Sequence, residues 1–325
     1  MKILIWITIA AAQTIFLKLN CFDFFQGLSE KSHLFALHLL EGHPSPWNWF
    51  YEAILIGRDE GLRSQPYLQS FFVLGLYHLI VVSGSHVLAL EKIISTVFFF
   101  LPPKLKKTVI WTALILFCFV NRLQASCVRA FVSWLVMQKK FLKTPLQGDL
   151  QMIVTCLCLL FQPVWVKSLS FQLSCGATLG LAMASSFKAS HKIKKKILST
   201  FFCAVVTSPL IFCVQPCLSW LVIPANTFAM PLFEGILMPL SLFNIFIRPL
   251  NFLTEKIFVF VFGISDFFAQ FEKPLLCLDE RRLAIWGIIY LFSVYFAWRF
   301  CLPWFLRQRF WQNQGHPTID SSSGM

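Results

Sequence analysis

Apolar residues in this chain fall into long stretches that carry no charge. Segments without Asp, Glu, Lys or Arg cover residues 71–90, 150–166, 168–187, 197–233 and 283–298. Each approaches or exceeds the roughly 20 residues that an α-helix needs to cross a bilayer. The run 197–233 is too long for one crossing, and Gln215-Pro216 predicts a tight turn dividing it into two helices. Shorter runs at 3–17, 108–121, 235–247 and 257–265 predict helices that rely on tilt, re-entrance or polar flanks. The predicted fold is all-α: a polytopic helical membrane protein of about ten membrane-crossing or re-entrant helices, some of them broken.

Composition supports that class. Charged residues are only 13% of the chain, about half of what a water-soluble globule carries, and hydrophobic residues are 57%. Most of the 11 cysteines lie in apolar runs (Cys118, Cys156, Cys158, Cys175, Cys203, Cys213). There they read as small hydrophobes. The Cys156/Cys158 and Cys213/Cys217 spacings do not suit paired zinc ligands. No metal and no cofactor are expected.

The net charge of +13 is organised along the chain. Lys104, Lys106 and Lys107 are followed two crossings later by Lys139, Lys140 and Lys143. Lys188, Lys192, Lys194, Lys195 and Lys196 come next, then Arg248, then Arg299, Arg307 and Arg309. The connections between them hold Arg122, Lys167, no charge at 214–217 and a balanced 272–282. Every second connection is basic, which orients the chain in its membrane with both termini cytoplasmic. The basic charge is thus mainly an orientation signal and by itself a weak argument for DNA.

Three regions follow. Residues 1–67 read as an N-terminal anchor, with an uncleaved first helix preferred over a signal peptide, plus a short external segment. That segment, 18–67, holds four basic and six acidic residues. Its Trp47, Trp49, Phe50 and Tyr51 predict an amphipathic helix at the headgroup level. His33, His38 and His43 step about 140° apiece around a helix, so they read as solvated or interfacial residues rather than a metal site. Residues 68–311 form the transmembrane core, and 312–325 read as a disordered tail.

Candidate chemistry concentrates in residues 75–90, GLYHLIVVSGSHVLAL. His78, Ser83, Gly84 and His86 sit at membrane depth, where polar groups need a cavity or a partner. They predict a broken helix lining something wet. Ser83 and His86 are three apart and can touch on a helix, as a nucleophile–base pair or simply as the lining of a break. The chain has no Gly-Lys pair for a phosphate loop, no Gly-x-Ser-x-Gly elbow and no metallohydrolase pattern. A channel rather than an enzyme is expected.

Arg129 lies within the otherwise apolar 123–138, where an arginine either binds phosphate in a cavity or snorkels to an interface. Gly176 and Gly180 form a GxxxG pair suited to close helix packing, and nearby Gln172 and Ser174 face a pore or a neighbouring helix. Pro224 and Pro231 flank Asn226 and predict an unwound or kinked helix. Glu234 follows and needs a partner, with His78, His86 and Arg129 as candidates.

Several pieces in order resemble the membrane core of the ComEC-type competence family. They are Ala53-Ile54-Leu55-Ile56-Gly57-Arg58, Gly75-Leu76-Tyr77-His78-Leu79, Ser83-Gly84-Ser85-His86-Val87, Val128-Arg129-Ala130 and Gln162-Pro163. Ser170-Phe171-Gln172-Leu173-Ser174, Pro209 and Pro224-Ala225-Asn226 through Pro231 complete the set, which spans about 53–245. The resemblance implies an inner-membrane channel admitting single-stranded DNA during natural transformation. It makes His78, Ser83, Gly84, His86, Arg129, Gln172, Ser174 and Asn226 candidates for the pore wall, and Glu234 stands beside them on the residue reading. It also implies a separate DNA receptor, nuclease and helicase-like motor, contacts with membrane lipids, and a possible homo-oligomer. The chain departs from the family at Ser85, where Leu is usual. It also departs in lacking the external OB-like and C-terminal metallo-β-lactamase-like domains of full-length members. Two rival readings are an intramembrane hydrolase using Ser83, His86 and Glu234, and a membrane protein repurposed for another solute or for a structural role.

Overall fold

A computed structural model describes residues 21–41, 47–65, 67–138, 147–185, 192–212, 217–219, 221–245, 247, 250–271 and 274–277. The expected first helix, the run 283–298, the Gln215-Pro216 turn, the tail, His43 and several basic connections lie outside these residues.

Among the described residues the fold is helical apart from one small antiparallel ribbon. The helices are α1 (Cys21–Glu41), α2 (Asn48–Ile56), α3 (Glu60–Arg63), α4 (Tyr67–Val73), α5 (Tyr77–Ile80) and α6 (Gly84–Val97). They continue as α7 (Pro103–Val120), α8 (Ala125–Gln138), α9 (Gln147–Phe161), a 3₁₀ turn (Pro163–Lys167), α10 (Leu169–Ser185) and α11 (Lys192–Phe212). After β1 (Cys217–Ser219) come α12 (Val222–Leu232), a π-helical turn (Phe233–Leu237), α13 (Met238–Asn244), α14 (Leu250–Gln270) and β2 (Pro274–Cys277). The strands pair with Cys217 opposite Cys277. Lys194–Phe212 and Val222–Asn244, of 19 and 23 residues, are each long and apolar enough to cross a membrane. The charge-free run 197–233 is therefore divided between α11 and α12.

The core is aromatic. Phe50 from α2, Phe71 from α4, Phe233 from the π turn, and Phe258 and Phe262 from α14 are almost wholly enclosed. The Phe50 and Phe258 ring centres lie 4.0 Å apart, and Trp47 stacks on Phe262 at 5.7 Å. The segment expected at the headgroup level is thus corrected. Phe50, Tyr51, Ala53 and Ile54 are core residues, because α4 and α14 offer a complementary aromatic face. His33 is corrected too. It is buried on α1, where its Nδ1 donates to the Val120 carbonyl at 2.8 Å, while Ser29 Oγ donates to the Phe119 carbonyl at 2.6 Å. His33 satisfies a carbonyl that the C-terminus of α7 leaves free, and Ser29 is a second donor to the Phe119 carbonyl, which the Arg122 N–H also reaches at 3.1 Å. His38 is exposed.

A helix interrupted near 75–86 is what the structure contains. Gly75 adopts φ +66°, in the left-handed region that favours glycine, and separates α4 from α5. Ser83 is extended and separates α5 from α6. Of the two expectations at Pro224–Pro231, unwound or kinked, the unwound one is corrected, because the helix runs on through both prolines. Pro224 falls in the first turn of α12, where its missing N–H costs little. The helix continues through Pro231 and widens at Phe233–Leu237, where the Met238 N–H bonds the Phe233 carbonyl five residues back. Pro231 and Pro239 bracket this turn, and each withholds the N–H that a regular α-helix would use.

Candidate functional site

The interrupted segment is held by side chains that take up its free backbone groups. The Gly75 carbonyl receives His78 Nδ1 at 3.0 Å and Asn226 Nδ2 at 3.4 Å. Asn226 Nδ2 also donates to the Val222 carbonyl at 2.8 Å. A Cβ on Gly75 would lie 3.0 Å from Val222 Cγ2, so α12 rests against the turn itself. His78, on α5, and Asn226, on α12, are thus joined at one carbonyl.

At the other end Ser83 caps α6. His86 Nδ1 accepts the Ser83 backbone N–H at 3.1 Å and lies 2.9 Å from Ser83 Oγ. This is a capping box with imidazole in the place usually held by a carboxylate or amide. A backbone N–H can only donate, so Nδ1 is the acceptor and Nε2 carries the ring proton. The ring also bonds the Leu79 backbone, and only 2% of His86 is exposed. Ser83 Oγ in turn lies 2.9 Å from Ser85 Oγ.

Arg129, on α8, is 4% exposed and bonded across two neighbouring helices. Its Nε donates to Ser174 Oγ at 2.9 Å, and its Nη1 donates to Gln151 Oε1 at 2.9 Å and Thr178 Oγ1 at 3.3 Å. Among the described residues no carboxylate lies within ion-pair distance of it. The guanidinium is therefore buried among neutral acceptors and does not snorkel. Gly84 completes this group by having no side chain. A Cβ there would approach Ala130 Cβ at 3.2 Å, the Ser126 carbonyl at 3.3 Å and Ser174 Oγ at 3.6 Å. The start of α6 can pack this closely on α8 and α10 only with glycine at the contact.

Glu234 sits on the π turn. Among the described residues its Oε1 is buried without a hydrogen-bond partner, Ser85 is its hydroxyl neighbour, and Lys196 and Lys92 act on it electrostatically. Neither a histidine nor Arg129 pairs with it as the sequence suggested. Gln172 is also placed differently from expectation. Its Nε2 donates to the Val166 carbonyl at 2.8 Å and ties down the 3₁₀ turn, away from Arg129. Gly176 and Gly180 lie where α10 meets α11. A Cβ on Gly180 would be 2.7 Å from Cys203 Cα, and one on Gly176 would be 3.3 Å from Thr207 Cγ2.

The nine candidates therefore do not meet at one point. His78 and Asn226 gather at Gly75, Ser83 and His86 at the α6 cap, Ser174, Gly84 and Arg129 beside that cap, and Glu234 against Ser85. Gln172 stands apart. Sequence reading missed Gln151 and Thr178, the other acceptors of Arg129, although both are polar residues inside apolar runs. It also missed the surface triad of Asp59, Arg63 and Tyr77. Tyr77 Oη donates to Asp59 Oδ2 at 2.6 Å, and Arg63 donates to the same oxygen from Nε at 3.1 Å and Nη2 at 2.9 Å. Partial burial works to raise the Asp59 pKa, but these hydrogen bonds and the Arg63 charge prevail and hold it below the ordinary value of 3.8. Among the described residues no three His, Cys, Asp or Glu side chains form a metal-binding group.

No curated protein and no solved structure matches the chain. A family model described as Competence protein matches residues 54–305. That span begins within a residue of where the sequence resemblance begins and extends beyond its end, through α14 and past β2. It covers well over half of the 325 residues and contains every candidate residue described above. The chain belongs to the competence protein family, whose core domain it carries.

Proposed function

We propose that this protein is the membrane core of a channel that passes single-stranded DNA across the bacterial inner membrane. In this reading the chain crosses the membrane about ten times with both termini cytoplasmic. Lipids surround it, and a DNA receptor, a nuclease and a helicase-like motor act as separate partners. A second copy of the chain is a further possible partner. Conduction is passive, and the motor supplies the driving force.

The observation that carries the proposal is the character of Arg129's partners. Ser174, Thr178 and Gln151 are neutral acceptors. These bonds have a charged donor but neutral acceptors, whereas a phosphate oxygen adds the opposite charge and can bind the guanidinium fork in two places, so it can displace them. A carboxylate partner would have opposed that exchange. Access requires α8 and α10 to part beside Gly84, where their contact with α6 lacks a side chain. Phosphates are then drawn by the cationic group, and aromatic rings offer stacking surfaces to passing bases. The test is a deletion strain scored for transfer of labelled DNA into the cytoplasm. Transfer falls to background if the proposal holds, and undiminished transfer removes it.

One contact favours the hydrolase reading: Ser83 Oγ and His86 Nδ1 lie 2.9 Å apart. Against it, the same Nδ1 already accepts the Ser83 N–H, and the ring is oriented by a backbone group rather than a carboxylate. A fluorophosphonate probe that labels the protein at Ser83 would restore that reading, and we expect no labelling.

A further inference from the structure

We propose that Cys217 and Cys277 are joined by a disulfide bond on the external side of the membrane. The proposal rests on the membrane orientation given above but not on DNA being the cargo.

The backbone places the two residues together. β1 is Cys217-Leu218-Ser219 and β2 is Pro274-Leu275-Leu276-Cys277, so each strand holds one cysteine. The antiparallel register sets Cys217 directly opposite Cys277, with Leu218 opposite Leu276 beside them. The irregularity in the ladder falls between Leu218 and Ser219, which leaves the cysteine pair on its regular side. Residues directly opposite in an antiparallel pair share one face of the ribbon. Their Cα atoms are about 5.5 Å apart at a hydrogen-bonded position and about 4.5 Å apart at the alternate one. A disulfide spans Cα atoms about 4.4–6.8 Å apart, so either position admits it. A slip of one residue would set the cysteines on opposite faces and forbid it. The ribbon itself is short, and a two-stranded ribbon is marginally stable in water. Pro274, opposite Ser219, has no N–H to give the ladder. A covalent link supplies the hold that so few ladder bonds do not.

The compartment suits the chemistry. The ribbon joins the uncharged connection at 214–217 to the balanced one at 272–282. Both are non-basic members of the alternation and so lie on the external side. α12, the π turn and α13 lead away from the ribbon toward Arg248, and α14 leads back to it. Disulfides persist outside the cytoplasm and are rare within it. By contrast, Cys118, Cys127, Cys156, Cys158, Cys175 and Cys203 are free and lie within helices α7 to α11. The bond would tie the α11–α12 connection to the end of α14. It thereby links α11, packed on α10 at Gly180, to the helix that carries Phe258 and Phe262 into the aromatic core.

The oxidant is the disulfide of a thiol–disulfide oxidoreductase in that compartment. One cysteine, as its thiolate, attacks that disulfide, forms a mixed disulfide and expels one oxidant thiolate. The other cysteine's thiolate then attacks the sulfur of the first, forms the Cys217–Cys277 bond and expels the second. The two cysteines lose two electrons and two protons, the oxidant's sulfurs gain the electrons, and the protons end on its thiols.

The experiment uses the full chain in bacterial cells with an oxidising periplasm. Cells are quenched in acid, and the denatured protein is alkylated, digested and mapped by mass spectrometry with and without reduction. The expected result is a Cys217 peptide joined to the Cys277 peptide, with neither cysteine alkylated until reductant is added. Cys213→Ser should leave that linkage in place, and Cys217→Ser should leave Cys277 alkylated without reduction. Linkage of Cys277 to Cys213 or to a second chain, or alkylation of both cysteines before reduction, overturns the proposal. A membrane-impermeant maleimide then separates the two ways of failing. Unlinked cysteines that it reaches in intact spheroplasts overturn the disulfide and keep the orientation. Unlinked cysteines that it reaches only after lysis overturn both.

Discussion

Replacing Gly180 with alanine tests the close approach of α10 to α11. The added Cβ would lie 2.7 Å from Cys203 Cα, 2.8 Å from Cys203 N and 2.8 Å from the Phe202 carbonyl carbon. All three are backbone atoms, so no side-chain rotation relieves the clash. Carbon atoms in contact sit at about 3.5–4.0 Å, so α11 must retreat by roughly 0.8 Å or more. That retreat also lengthens the Cys203 Sγ bond to the Ala177 carbonyl, now 3.2 Å. Overpacking of this kind costs about 1–3 kcal/mol, and a clash with backbone belongs at the upper end. Alanine's better helix propensity returns only about 0.8–1.0 kcal/mol. The net expectation is a loss of about 2 kcal/mol. Gly176→Ala is the control, because its Cβ would meet a movable methyl, Thr207 Cγ2, at 3.3 Å. There the propensity gain and the small steric cost nearly cancel. Equilibrium unfolding of the purified variants in mixed detergent micelles measures both. Equal stability of Gly180→Ala and wild type, or a larger loss from Gly176→Ala, would refute the contact and the small-residue packing argument built on it.

Arg129→Met should be no less stable than wild type in the same micelles, yet reduce DNA transfer by more than tenfold. The orphaned Ser174 and Gln151 acceptors cost about 1–3 kcal/mol each, but burying an arginine without a counter-ion costs several, so removing the charge is the larger effect. A drop of more than about 3 kcal/mol would show that the charge is compensated. Asp59 predicts a pH dependence. Its folded pKa is depressed, so its stabilisation is present above the unfolded value and is lost as pH falls through the folded one. Unfolding midpoints should therefore decline below about pH 4, and the decline should be shallower in Asp59→Asn. Identical slopes for the two proteins would remove Asp59 from the account.

The sequence made the helical class and the break legible because each has a local cause. Charge-free runs report helix length, and Gly75 together with Ser83-Gly84-Ser85-His86 reports where the helix is interrupted. The meeting of Gly84 with Ser174 and of Arg129 with Gln151 and Thr178 was not legible, because these contacts join helices far apart in the chain. Local pattern also misplaced α2. An aromatic cluster such as Trp47-Asn48-Trp49-Phe50-Tyr51 suits a bilayer interface and a protein core equally well, and only Phe71, Phe258 and Phe262 decide between them. Gln172 looked like a pore residue because its role, closing the turn at Val166, lies six residues back along the chain. The π turn required two prolines to be read together. Pro231 and Pro239 each signal a missing hydrogen bond, and their separation decides where the helix widens.

Hydrogen bonding separates residues that maintain the fold from residues available for transport. A helix broken inside a membrane leaves carbonyl and N–H groups that hydrocarbon does not satisfy. His78, Asn226, Ser83 and His86 supply those bonds to Gly75, Leu79, Val222 and Ser83 itself. Loss of transport in variants of these four therefore follows equally from a disordered break and from a lost pore wall. Arg129, Ser85 and Glu234 differ. Arg129 spends its donors on neutral side chains of other helices, and Glu234 Oε1 has no hydrogen-bond partner among the described residues. These groups can exchange partners without releasing backbone, as a passing phosphate would require of Arg129. If the protein conducts DNA, variants at Arg129 should lower transfer while leaving the unfolding midpoint in place, and substitutions at the four capping positions should move both together.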